Sequence, residues 1–276
     1  MAEITAAMVK NLRERSGLPM MDCKKALMET GGDEEAAMEM LRKSGAATAE
    51  KKAGRATSEG RIGVCVDADK KVGALVELNC ETAPVANNPE FKALADKVAR
   101  HVALTGHTDP KAIASEPFVD DPKMTVGDVM HDVLNRLREN MLISRAVFMP
   151  GHVAAYVHHT GKIGVLLEVE NGTDNAEVLN DVCMHIAAMN PDALSRDEMP
   201  DAQVAQEEEI CREQIKTSGK PDNLVDKILV GKMNKFYAER VLLEQPFVKD
   251  DKQSVGDVLK GAGVTVRAYT RLVVGE

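Results

Sequence analysis

Residues 116–129 read EPFVDDPKMTVGDV, and residues 245–258 read QPFVKDDKQSVGDV. Nine of the fourteen positions are identical, with no gap. A second echo lies upstream of each, VGALVELN at 72–79 against IGVLLEVE at 163–170. Each of these apolar runs follows a polar turn and a shorter strand-like stretch, 61–67 and 152–158. One unit therefore occurs twice, at about 61–149 and 152–274. The echoes are offset by 129 and 91 residues, so the second copy carries about 38 residues that the first lacks.

The copies share a grammar. A hairpin supplies two strands, the second apolar enough to be buried. A helix follows, with Phe91, Leu94, Ala95 and Val98 in the first copy and Val178, Val182, His185 and Ile186 in the second. Thr125-x-x-Asp128 and Ser254-x-x-Asp257 match the capping-box pattern, with Asp where Glu is usual. Each introduces a further helix, at 129–140 in the first copy and shorter in the second. A β-rich stretch closes each unit, at 142–149 and 264–274. This order predicts an α+β fold of small antiparallel sheets with helices on one face. The surplus falls at about 201–242. Val204, Cys211 and Ile215 sit on a charged helix, Gly219-Lys220-Pro221 turns the chain, and an apolar stripe from Leu224 to Phe236 runs back. These predict a helical hairpin inserted in the second unit.

Upstream, residues 2–45 predict three short helices. Thr5 caps the first, with Ile4 and Val9 in staple positions, and Gly17 and Pro19 end it. The second runs near 22–30. That places Lys24 and Lys25 in its first turn, where cations oppose the helix dipole. The third is capped by Asp33 and ends at Gly45, and residues 46–60 are a linker or a lone helix.

The 276 residues suffice for about two domains. A net charge of −9 argues against a general nucleic-acid binder. With no Trp and 3% aromatics, the core must rest on Ala, Val, Leu, Ile and Met, and the 15 Met are first of all core fillers. No stretch approaches the roughly 18 apolar residues of a membrane span. The five Cys are widely spaced and form no disulfide framework or CxxC pair. A cytoplasmic protein with reduced thiols is expected.

No GxxxxGK[ST], GxSxG or HExxH occurs. Cys183 and His185 lie about 200° apart around a helix and are badly placed to share a metal. His158 and His159, neighbours at a strand end, are expected to face opposite ways. Asp120-Asp121 and Asp250-Asp251 sit in matching turns. No nucleophile meets a base, so the expectation is no catalytic residue, no metal and no cofactor. One loop differs between the copies. Residues 79–89, NCETAPVANNP, join the buried strand to a helix, whereas the counterpart at 171–174 is a plain NGTD. Pro84 fixes its own φ and restricts Ala83, so the tip is preorganised. A plain surface connection and a diverged functional loop both fit.

Several stretches together resemble the bacterial elongation factor Ts family. They are LRERSG at 12–17, MMDCKKAL at 20–27, VELNCET at 76–82, KIGVL at 162–166 and GKP at 219–221. The likeness runs nearly end to end, and MMDCKKAL is highly specific. It implies a ubiquitin-associated-like three-helix module with linker at 1–55. Two related core subdomains would follow at 56–149 and 150–276, the second carrying the hairpin. It also implies a guanine nucleotide exchange factor rather than an enzyme, acting on elongation factor Tu in its GDP-bound and nucleotide-free states, with no direct contact to nucleic acid or membrane. A homodimer stays open. By position, Arg13, Met20, Met21 and Lys24 would meet the partner's nucleotide domain. Thr82, Ala83, Pro84 and Val85 would form a wedge near its Mg²⁺ and phosphate site, and His158 would lie in a third contact.

Two departures stand out. The family's wedge is usually Thr-Asp-Phe-Val, and here no carboxylate or aromatic ring is available at the tip. Many members also continue past the last strand with a C-terminal helix, and that contact is expected to be missing. The alternative implied is a protein that binds and stabilises elongation factor Tu with weak exchange activity.

Overall fold

The structure is a computed structural model that describes residues 4–217 and 222–276. The chain begins with α1 (Ala6–Ser16), α2 (Met20–Glu29) and α3 (Glu34–Lys52). The first copy comprises β1 (Glu59–Asp67), β2 (Val72–Cys80), α4 (Ala83–Ala86), α5 (Pro89–Thr105), α6 (Pro110–Ser115), β3 (Pro117–Phe118), β4 (Asp121–Thr125), α7 (Val126–Leu137) and β5 (Met141–Pro150). The second comprises β6 (His152–Val157), β7 (Ile163–Asn171), α8 (Ala176–Met189), α9 (Asp201–Thr217), α10 (Asp222–Arg240), β8 (Pro246–Phe247), β9 (Asp250–Ser254), α11 (Val255–Gly261) and β10 (Thr265–Val273).

Each copy builds a three-stranded antiparallel sheet, β1-β2-β5 and β10-β7-β6, with the duplicated apolar run in the middle. The two-residue period of a strand splits that run between two environments. Ala74, Val76 and Leu78 pack with Phe91, Leu94 and Val98 of α5 and with Met130, Val133 and Leu134 of α7. Val165, Leu167 and Val169 pack with Val182 and Ile186 of α8. The alternate residues Leu75 and Leu166 meet Ile62, Met149 and Leu272 where the two sheets press together. The layers therefore run helix, sheet, sheet, helix. Glycines at equivalent places in the echo make the sheet contact close. A Cβ on Gly73 would lie 2.7 Å from Val153, and one on Gly164 would lie 2.5 Å from Ile62.

Both capping boxes form. Thr125 Oγ1 accepts from the Asp128 amide at 3.0 Å and Ser254 Oγ from the Asp257 amide at 3.1 Å, with each Asp returning a bond to its cap residue. Because Thr125 is itself the cap, α7 starts at Val126 and ends at Leu137, three residues earlier than expected at each end.

The N-terminal helices enclose a small core of Val9, Leu12, Cys23, Ala26, Leu27, Ala37 and Leu41. Two expectations change here. Helix α2 begins at Met20, so Asp22 occupies the first turn and Lys24 and Lys25 lie beyond it; the unfavourable dipole contact is absent. Helix α3 does not stop at Gly45 but continues to Lys52. Gly45 is buried inside it because a side chain would collide with Asn135 of α7. The glycine is a site of close helix approach, not a terminator.

The insert is a helical hairpin with its own strip of Cys211, Ile215 and Leu229. The Gly219-Lys220-Pro221 turn lies outside the described residues. At the base, Leu242 is fully buried in the second core, and its amide bonds the Ala193 carbonyl at 2.8 Å. Replacing residues 207–234 with a short Gly/Ser linker is therefore expected to leave one cooperative thermal transition. Extending the excision to 201–242 removes Leu242 and is expected to abolish it.

The duplication also carries a buried imidazole. His101 and His185 stack on Phe118 and Phe247 at 6.1 and 5.9 Å. The His185 Nε2–H donates to Gln245 Oε1 at 2.9 Å, and the Val248 amide donates to Nδ1, which fixes the neutral form. Burial lowers the pKa of His185 further, against the opposing Gln245 bond. In the first copy the partner is Glu116, 2.8 Å from His101 and 2.7 Å from His107. Burial pushes the Glu116 carboxyl up, but the bonds and charges of His107 and His101 outweigh it and hold it below the ordinary value. A depressed carboxylate contributes stability that is complete above the unfolded pKa of about 4.3 and is lost as pH falls through the lower folded value. Glu116→Gln, which copies the second repeat, is expected to flatten the acid limb of a Tm-against-pH profile below about pH 4.3. An unchanged limb would assign acid sensitivity elsewhere.

Candidate functional site

The loop after β2 is ordered as α4. Thr82 occupies its N-cap, and Pro84 falls in its first turn, where a missing amide hydrogen removes no helical bond. Ala83 and Pro84 are exposed. Val85 is not a tip residue; it is half-buried and packs against the first core. The protruding group is therefore Ala83-Pro84. The Thr82 hydroxyl makes no cap bond to α4 and instead donates to Glu139 Oε1 at 2.6 Å, while its amide donates to Oε2 at 2.9 Å. Cys80, at the end of β2, is buried, and burial with the nearby Glu139 charge pushes its thiol up to about 12. It stays protonated and offers no nucleophile.

On α2, Met20 and Met21 are 49% and 71% exposed, and Met28 is 62% exposed. Buried Met130, Met141 and Met149 are fillers as expected, but these three leave apolar, adaptable side chains on the surface of α2. Arg13 and Lys24 are exposed, and among the described residues neither makes an ion pair. Lys25, by contrast, is 3.8 Å from Glu29.

The α2 surface and the α4 tip are brought together across one turn. Arg138, in the left-handed conformation with φ 65°, ends α7 and pairs with Asp22 of α2. Glu139, the next residue, holds Thr82. Asn140 is buried and ties Glu81 at 2.7 Å and the Arg55 carbonyl at 3.1 Å. Reasoning from sequence missed these three residues, because they fall where helix was expected to continue and no glycine marks the break.

His158 sits at the same end of the sandwich. The turn between β6 and β7 abuts the start of β1: Ile62 N–H donates to the Gly161 carbonyl at 2.8 Å and Lys162 pairs with Glu59 at 2.8 Å. Glu59 in turn is in register with Cys80, next to α4. His158 is half-buried, with Nδ1 3.1 Å from the Tyr156 hydroxyl. The His158 and His159 rings do not face opposite ways but lie 4.1 Å apart, because both residues follow the end of β6, where strand alternation no longer applies.

The site presents apolar and cationic contact groups, Met20 and Met21 with Arg13 and Lys24. Among the described residues, no group of three or more His, Cys, Asp or Glu could hold a metal ion. No helix there is long and apolar enough to cross a membrane. Known proteins match the chain along its length. The sequence profile of the family described as Elongation factor TS matches residues 81–276. The Elongation factor Ts of Aquifex aeolicus is 44% identical over 279 residues, covering 97% of this chain and 96% of that protein. That of Hydrogenovibrio crunogenus is 43% identical, covering 99% and 92%. That of Alcanivorax borkumensis is 44% identical, covering 98% and 93%. The chain belongs to the elongation factor Ts family. Membership places it in translation elongation, among exchange factors. The pairwise matches also extend across α1–α3, which the family profile leaves uncovered.

Proposed function

We propose that this chain binds elongation factor Tu, GDP-bound and nucleotide-free, and speeds release of its GDP without hydrolysing anything itself. Family membership over nearly the whole chain carries the reading. The physical basis is linkage: a partner that prefers the nucleotide-free state weakens GDP by the same factor. The division at residues 55 and 149 belongs to the same proposal, each part offering one contact. Arg13, Met20, Met21 and Lys24 meet the partner's nucleotide domain. Ala83 and Pro84, carried by Thr82 and backed by Val85, enter near the phosphate site, and His158 lies in the third contact.

One observation favours the second reading, a stabiliser of elongation factor Tu with weak exchange: the tip offers a pyrrolidine ring and a methyl group, with no carboxylate or aromatic ring. The two readings differ in the rate of GDP release from cognate partner loaded with labelled GDP. Saturating amounts of this chain are expected to raise it well above the spontaneous rate; the spontaneous rate itself would overturn the exchange reading. Pro84→Gly loosens the tip and raises the cost of ordering it, so release is expected to slow by about fivefold with little change in affinity. Met20→Ala with Met21→Ala is expected to impair both. Release at the unmodified rate by Pro84→Gly would make the loop a bystander.

A further inference from the structure

Three consecutive residues, Arg138, Glu139 and Asn140, join parts of the chain that are distant in sequence. The Arg138 guanidinium pairs with Asp22, between Met21 and Lys24 on α2. The Arg138 carbonyl accepts from Lys52 Nζ, at the end of α3, at 2.7 Å. The Glu139 carboxylate takes both donors of Thr82, at 2.9 and 2.6 Å. The Asn140 amide donates to Glu81, the residue before Thr82, at 2.7 Å. Arg138 is left-handed without being glycine, a conformation that persists only where its surroundings over-determine it. A four-residue helix is too short to hold itself, and α4 has no side-chain bond at its N-cap, although Asn87 Nδ2 donates to the Ala83 carbonyl at 3.0 Å at its other end. Val85 and Ala86 pack its back against the first core, and Glu139 holds its leading end at Thr82.

From this we infer that Glu139 is a positioning residue for nucleotide exchange: it fixes the Ala83-Pro84 tip relative to the α2 surface, so that docking of α2 delivers the tip at a set distance. The inference rests on the exchange reading above. Glu139 itself meets neither nucleotide nor partner. Its role is to keep α4 ordered before binding, which lowers the ordering cost carried by the complex. Asp22 and Thr82 are held by adjacent residues of one rigid turn, so motion of α2 and of the tip is linked through covalent backbone.

The test compares Glu139→Ala, Glu139→Gln and Thr82→Val in the full chain. Glutamine is isosteric; it can accept from the Thr82 amide through Oε1 and donate to the hydroxyl, so it should rescue. Glu139→Ala is expected to slow maximal GDP release about fivefold while the concentration for half-saturation changes less than about twofold. Thr82→Val added to Glu139→Ala should slow release by less than a further twofold or so, since both remove one interaction. In the free protein, amide exchange at residues 82–87 should rise at least about tenfold in Glu139→Ala and stay near the unmodified value in Glu139→Gln, with protection of α1–α3 retained. Unchanged amide exchange at 82–87 would overturn the positioning role whatever the release rates. Slower release matched by an equal loss of affinity would make Glu139 a docking residue and also overturn it. The unmodified chain in the same assay separates the two claims. If it fails to speed release, the proposed function falls; if it succeeds and Glu139→Ala succeeds equally, only the positioning role falls.

Discussion

The contact between the two sheets is the constraint on which the rest depends. Each central strand is covered by helices on one face and by the other copy's sheet on the opposite face, so neither face is free to be polar. Gly73 and Gly164 occupy the same place in the duplicated run, and each admits a side chain of the other sheet where a methyl group would overlap it. Overpacking of this kind typically costs about 1–3 kcal/mol, which is why the smallest residue appears in both copies. Fusing two copies of one unit gives each half the surface that completes the other. A charge persists between the sheets. Glu77 is 2% exposed, and it is answered by Arg145 at 2.6 Å and by the Gly275 amide at 2.9 Å. A buried carboxylate is tolerable only with such partners, and here they come from β5 and from the residues just after β10, so the charge latches the end of the second copy onto the first. The equivalent Glu168 faces Arg267 at 3.6 Å. Both pairs lie at irregularities in the strand ladder, between Glu77 and Leu78 and between Val266 and Ala268, where a bulge re-aims a side chain.

The N-terminal helices are fastened by a different means. Their own core is small, and their attachment to the first copy runs along α3 and α7, where Gly45 lets the axes close on Asn135. The ion pairs around that seam are half-exposed. Arg138 with Asp22 contributes at most about 1 kcal/mol of stability. Its value is geometric: it selects one orientation of α2 among those that the apolar contact alone would permit.

Much of this was legible in the sequence, and what was not has identifiable causes. The repeat, the buried strands, both capping boxes and the inserted hairpin follow from spacing and from turn chemistry, which are local. The continuation of α3 through Gly45 was not legible, because a glycine that ends a helix and a glycine that admits a neighbour look alike until the neighbour is known. The start of α2 at Met20 was hidden because Pro19 acts as the cap without a side-chain bond, leaving no Ser, Thr, Asp or Asn to mark it. The adjacent rings of His158 and His159 were misread by carrying strand alternation two residues past the strand. Of the candidate site, α2 and the loop tip were legible through resemblance. The turn at 138–140 was not, since its meaning lies in bonds to Asp22, Lys52 and Thr82, all far away in sequence.

The unusual tip follows the same logic. A carboxylate and an aromatic ring at the end of a loop would act by their own chemistry and could tolerate some play in the loop that carries them. A methyl group and a pyrrolidine ring have only volume to offer, and volume acts only where it is held in place. In this chain the tip is held from several sides: Thr82 gives both its donors to Glu139, Asn140 secures Glu81, Val85 is packed into the core behind the tip, and Pro84 removes a backbone freedom of its own. Under the proposed exchange reading, the side chains of Ala83-Pro84 contribute volume, and the position of the tip, set from the turn that follows α7, is what makes that volume effective.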